Sequence, residues 1–210
     1  MLNRDDPAVI AVLLYDGVEP IDIGGTIGVI SMASRVLPGI RAVAVAERAG
    51  PVACAGGLTV KADYRFDAVP DYDALIVTGG PGWQREVSNP VMLDFLRSQP
   101  AGRLASVCTG ALILGAAGLL TGRAATTRRQ AVGLEARSPL DLLADMGAST
   151  RPAQLVDDGP GPFTAGGVSM AIDGTLHLIG RLYGEEAQAE VARVIEYDRA
   201  FAANRAALGR

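Results

Sequence analysis

Basic side chains other than arginine are almost missing from this chain: Lys61 is its only lysine and His177 its only histidine. With a net charge of -4 there is no basic stripe to attract a polyanion, so no nucleic-acid partner is expected. The scarcity of histidine also argues against a Cys-His-acid triad, which needs a base within reach of the thiol. His177 falls about two turns into a predicted helix, with no carboxylate two residues on, and reads as a structural or surface residue. Two cysteines, Cys54 and Cys108, are too few for a disulfide framework, and both are expected to be reduced. The flank before the first apolar run carries Asp5 and Asp6 rather than basic residues, unlike a signal peptide. No run approaches the ~20 apolar residues that span a bilayer, so no membrane partner and a cytoplasmic location are expected. There is no cluster of metal ligands and no phosphate-binding fingerprint, so neither metal nor organic cofactor is expected.

What is present is apolar and rich in turns: 49% of the 210 residues are hydrophobic, and 26 glycines and 12 prolines punctuate them. This length suits one domain, residues 1–210, with one large core. Strands are predicted at 8–15, 41–47, 73–78, 103–107 and 124–127, with a hairpin over 51–63 and a pair at 154–156 and 163–165. Helices are predicted over 21–36, 89–98, 109–120, 138–146, 169–183 and 185–200. This alternation implies an α/β fold, a mainly parallel sheet with helices on both faces.

The segment Leu104-Ala-Ser-Val-Cys-Thr-Gly-Ala carries the most chemistry. A strand that turns at once into a helix places its pivot in strained geometry, and only small residues fit two positions to either side. Ser106 and Gly110 give small-x-Cys-x-small, the logic of a nucleophile elbow with Cys108 as the pivot. The N-terminus of the following helix would lower the thiol pKa. Spacing alone equally allows a small buried hydrophobe. Two neighbours favour the reactive reading. Gly79 and Gly80 end a predicted adjacent strand, where their N–H groups could form an oxyanion hole rather than a plain turn. Asp22, acidic in an apolar stretch, is either a proton donor with a raised pKa or a helix N-cap. Cys54, before the hairpin turn, has no activating context.

The combination Asp22-x-x-Gly25, I-V-T-G-G-P-G, A-S-V-C-T-G-A, F-T-A-G-G-V-S-M-A-I-D-G and I-E-Y-D resembles the ThiJ/PfpI superfamily over nearly the whole chain. Within it, the branch holding isocyanide hydratases and the sensor halves of AraC-type regulators is the most similar. The resemblance implies a flavodoxin-like sandwich, a homodimer and a small-molecule substrate. It implies Cys108 as nucleophile, Asp22 as its acid/base partner, and Thr109 beside the site. Some superfamily members use a glutamate near the first strand, which leaves Glu19 as the alternative to Asp22. Two departures weaken the substrate inference: Arg128-Arg129 stands where relatives commonly carry histidine after A-T-T, and Thr26 where hydratases carry proline. An Arg128 facing the pocket would favour an anionic substrate. The competing functions are a hydratase, a glyoxalase- or amidase-type enzyme on the same centre, and a redox or small-molecule sensor.

Overall fold

The computed structural model describes residues 1–208. In chain order its strands and helices begin with β1 (Ala8–Leu13), α1 (Pro20–Ile23), α2 (Val29–Ala33), β2 (Ile40–Ala46), β3 (Gly50–Ala53), β4 (Thr59–Ala62) and β5 (Tyr64–Arg65). There follow β6 (Ala74–Val77), α3 (Trp83–Glu86), α4 (Pro90–Arg97), β7 (Leu104–Ser106), α5 (Gly110–Ala116), β8 (Ala124–Ala125) and α6 (Pro139–Asp145). The chain closes with β9 (Ser149–Thr150), β10 (Leu155–Val156), β11 (Phe163–Ala165), α7 (Ala171–Tyr183), α8 (Glu185–Val194) and α9 (Asp198–Leu208).

Seven strands form one sheet in the order β10-β11-β7-β6-β1-β2-β5, parallel except where β10 meets β11. The alternation of β1 explains why the sheet is covered twice. Ile10 and Val12 face a core closed by α2, α7 and α8, while Ala11 and Leu13 face a second core closed by α4, α5 and α6. A strand buried on both faces reads as an unbroken apolar run, as β1 does. The flavodoxin-like α/β expectation therefore holds. No helix among the described residues is long and apolar enough to cross a membrane.

Local chemistry sets the helix ends. Asn89 caps α4 by accepting from the N–H groups of Val91 and Met92, and Ser138 caps α6 by accepting from Asp141 N–H. The helix expected over 21–36 is not uniform: a π-helical stretch, Gly24–Gly28, lies between α1 and α2. There Thr26 Oγ1 donates to the Asp22 carbonyl at 2.7 Å, and the Gly25 carbonyl accepts from Thr175 Oγ1 at 2.8 Å. The helix expected over 185–200 is broken at Glu196, whose φ is 53°, giving α8 and α9. A 3₁₀ turn, Val168–Met170, precedes α7. The hairpin is β3 with β4, outside the main sheet, and β8 pairs with β9, a strand the sequence did not announce.

The chain leaves β1 toward β2 on one side, then returns to build β6, β7 and β11 on the other. A crevice opens above the carboxyl ends of the strands at such a reversal. The turns after β1, β6, β7 and β11 meet there. Gly110 sets how closely they meet, because a Cβ on it would lie 2.1 Å from the Val77 carbonyl oxygen. Gly110→Ala is therefore expected to lower stability by about 1–3 kcal/mol in urea unfolding, the usual cost of overpacking; an unchanged midpoint would show that the crossing is slack.

Candidate active site

Cys108 is separated from β7 by Val107 and from α5 by Thr109, with φ at 52°, in a left-handed conformation that non-glycine residues seldom adopt. Such a residue costs on the order of 1–3 kcal/mol and persists only if its surroundings over-determine it. They do so here. Its N–H donates to the Gly166 carbonyl at 2.9 Å, and its carbonyl accepts from Thr127 Oγ1 at 2.6 Å. Beneath it a Cβ on Gly79 would come 2.8 Å from Cys108 Cβ. The elbow inferred from small-x-Cys-x-small is the geometry found.

The thiol does not stand exposed above the sheet, as the elbow analogy suggests; Cys108 is only 3% exposed. It forms part of a cavity of about 310 Å³ lined by Glu19, Gly80, Pro81, Trp83, Thr109, Arg128, Val132, Glu135 and Val168. The backbone N–H groups of Thr109 and Val168 point at its sulfur. Val168 was not singled out from the sequence. It too has φ at 52°, rare for a β-branched residue, and the Gly166-Gly167 pair before it was the only hint of an unusual turn.

Asp22 is fully buried and lies in the first turn of α1. Glu19, not Asp22, occupies the N-cap position, and its side chain makes no capping bond. Asp22 Oδ2 instead accepts from Gly79 N–H at 2.6 Å, tying the turn after β1 to the turn after β6. Its Oδ1 is buried without a hydrogen-bond partner among the described residues. Burial pushes its pKa up to about 7; the Gly79 N–H pulls the other way, and the Glu19 charge adds to the rise. The structure thus places a carboxyl group that exchanges its proton near neutrality close enough for its charge to act on Cys108.

Three expectations change. Burial, and then the Asp22 charge, push the Cys108 thiol up to about 12 against the lowering by the Val168 and Thr109 amides and by Arg128. It is not lowered as a helix N-terminus alone would suggest. The N–H groups of Gly79 and Gly80 are not free for an oxyanion: the first serves Asp22, and the second donates to Thr109 Oγ1 at 3.0 Å. The donors left at the reactive atom are Thr109 and Val168. Arg128 does line the cavity, but Glu135 Oε1 at 2.5 Å and the Gln130 carbonyl occupy its guanidinium. An anionic substrate would have to displace Glu135.

His177 lies elsewhere, with Nε2 at 2.8 Å from Asp157 Oδ2 and its ring edge-on to Phe163. Cys54 is buried in the connection between β3 and β4. A larger open cleft of about 830 Å³, lined by Tyr15, Glu47, Arg85 and Glu86 among others, contains no nucleophilic thiol. Its buried carboxylate, Glu86, is bonded to Arg85 and Asn89. Among the described residues no group of His, Cys, Asp and Glu is placed to hold a metal.

The DJ-1/PfpI family model matches residues 8–177. An isonitrile hydratase of Pseudomonas putida is 35% identical over 190 residues, covering 90% of this chain and 78% of that protein. The HTH-type transcriptional regulator GbdR of Pseudomonas aeruginosa is 33% identical over 145 residues, 68% of this chain but 37% of the regulator. Among solved structures, a ThiJ/PfpI family protein from Pseudomonas syringae superposes with a TM-score of 0.78 at 29% identity, covering 92% of this chain and 76% of that one.

The raised pKa of Asp22 has a measurable thermodynamic signature. Unfolded, its carboxyl ionises near its ordinary 3.8; folded, it holds the proton to about 7. Between those values the folded state binds the extra proton, so this group's contribution to stability falls as pH rises, by a few kcal/mol in all, and levels off above 7. Asp22→Asn removes that slope. The stability difference, variant minus wild type, should grow in favour of the variant from pH 4 to 7 in urea titrations; a pH-independent difference would contradict the raised pKa. The same substitution removes a negative charge that raises the Cys108 thiol, so the midpoint of Cys108 alkylation against pH should move down.

Proposed function

This chain belongs to the DJ-1/PfpI family, and we propose that it is a cysteine-dependent hydratase that converts an isocyanide to an N-substituted formamide. The observation that carries the reading is the buried Asp22 carboxyl, poised near neutral pH beside a thiol that burial keeps protonated. That pair suits 1,1-addition to a terminal isocyanide carbon, which must gain both a nucleophile and a proton. The 35% identity to an isonitrile hydratase over 90% of the chain supports the same choice.

In the first step Cys108 sulfur bonds to the terminal carbon while Asp22 gives that carbon its proton. The thiol proton replaces it on Asp22, so the thioformimidate forms with no net change of charge. The Thr109 and Val168 N–H groups hold the negative charge that builds on sulfur as its proton leaves. In the second step water adds to the same carbon, and Asp22 passes the water's proton to the imine nitrogen. Collapse of the tetrahedral adduct breaks the C–S bond, returns a proton to sulfur and releases the formamide. One isocyanide and one water give one formamide, with the enzyme regenerated.

Regulators such as GbdR, similar over two thirds of this chain, support a second reading in which the cavity senses a small molecule or oxidant. Peroxide treatment followed by mass spectrometry separates the two. A sensor would oxidise at Cys108 much faster than at Cys54 and would turn over no isocyanide.

The direct assay is formamide production from cyclohexyl isocyanide. Cys108→Ala is expected to abolish turnover, and Asp22→Asn to lower kcat by about 10²–10⁴, the usual contribution of a general acid. Equal rates for wild type and Cys108→Ala would sink the proposal.

A further inference from the structure

The two-step reaction uses none of the charged groups that line the cavity, and Glu19 is the one of them that stands outside the Arg128–Glu135 ion pair. Its backbone is fixed, its N–H donating to the Gly79 carbonyl at 2.9 Å and its carbonyl accepting from Asp22 N–H at 3.0 Å. Its side chain has no such partner. It stands at the N-cap of α1, yet makes no capping bond, and no side-chain hydrogen bond or ion pair engages it among the described residues. A partly buried carboxylate lining a cavity without a partner is poorly compensated for the water it has lost. The opposite charge in the cavity, Arg128, cannot compensate it, because Glu135 and the Gln130 carbonyl already take up the guanidinium. Counting Glu19, Glu135 and Arg128, the cavity walls carry one negative charge in excess. Trp83, almost wholly buried, lines the same space and contributes an aromatic surface. A carboxylate together with an indole is the pairing that recognises an onium group.

We infer that Glu19 is the specificity-determining residue of this site and that it selects an isocyanide whose substituent carries a positive charge, with Trp83 contacting that substituent. This rests on the hydratase reading for the identity of the reacting group, but not for the charge preference. An isocyanide carbon bears no charge of its own, so the cation must sit on the substituent, leaving the carbon free to meet Cys108. A charge-assisted contact of this kind changes affinity by about tenfold to a hundredfold.

Two measurements test it. The first reads kcat/KM for 2-(trimethylammonio)ethyl isocyanide against 3,3-dimethylbutyl isocyanide, which has the same shape without the charge. The wild type should prefer the cation at least tenfold, and Glu19→Gln should bring the ratio close to one. The second needs no turnover. Cys108 is labelled with methanethiosulfonates bearing trimethylammonium or sulfonate, its sulfur displacing methanesulfinate, and the rates are read at the Cys108 peptide by mass spectrometry. The wild type should label at least tenfold faster with the cation, relative to the neutral methyl reagent, and Glu19→Gln should lose that preference. A wild-type preference near one, or one that Glu19→Gln leaves unchanged, overturns the assignment. If neither isocyanide is turned over while the labelling preference holds and depends on Glu19, the hydratase reading fails and the cation site stands.

Discussion

The hydrogen bond from Gly79 N–H to Asp22 Oδ2 is the contact from which the site is organised. It joins the turn after β1 to the turn after β6, on either side of the reversal in strand order. It also explains how a carboxyl group can be fully buried in an apolar stretch: one oxygen is satisfied by the main chain, so burial is tolerated. The other oxygen is left without a partner, and burial, opposed only by the one bond from Gly79, keeps the proton on to about pH 7. A carboxyl with both oxygens bonded to amides would ionise far lower and hold no proton to give.

The electrostatics of Cys108 are settled by magnitude. A helix N-terminus stabilises a negative charge by about 0.3–1 kcal/mol, less than one pKa unit. Moving a thiol from 9.0 to about 12 corresponds to roughly 4 kcal/mol against the thiolate. Desolvation wins, and the short α5 cannot reverse it. In the proposed reaction a proton therefore moves as the new bond to this sulfur forms, and the sulfur does not begin as a standing thiolate. This is why the neighbouring carboxyl matters more than the helix.

Much of the fold was legible in the sequence because the relevant rules are short-range. Apolar runs bounded by glycine and proline gave β1, β2, β6 and β7, and the Asn89-Pro90 signal gave the start of α4. The elbow was legible because backbone crowding at Gly110 admits no other residue type. What stayed hidden depends on distant segments. The π-helical turn at Gly24–Gly28 accompanies contacts with α7, 150 residues away at Thr175. β9 is too short to carry a pattern. The two glycine N–H groups could not be known to be occupied before Asp22 and Thr109 were placed. Nor could Val168 be recognised as a donor to the sulfur, since its role comes from a positive φ that its residue type argues against. The closure of Arg128 by Glu135 depends on a loop whose sequence has no periodicity at all.

The proposed reactive centre and the proposed selective wall lie on different parts of the chain. Asp22 and Cys108 are held by main-chain contacts at the carboxyl ends of the central strands, where a Cβ on Gly79, Gly80 or Gly110 would meet a backbone atom. Glu19, Arg128, Val132 and Glu135 lie on turns and a loop, outside the strands. A lineage built on this plan can exchange its walls without rebuilding its centre. Divergence of substrate is cheap in such an architecture, and divergence of reaction is not.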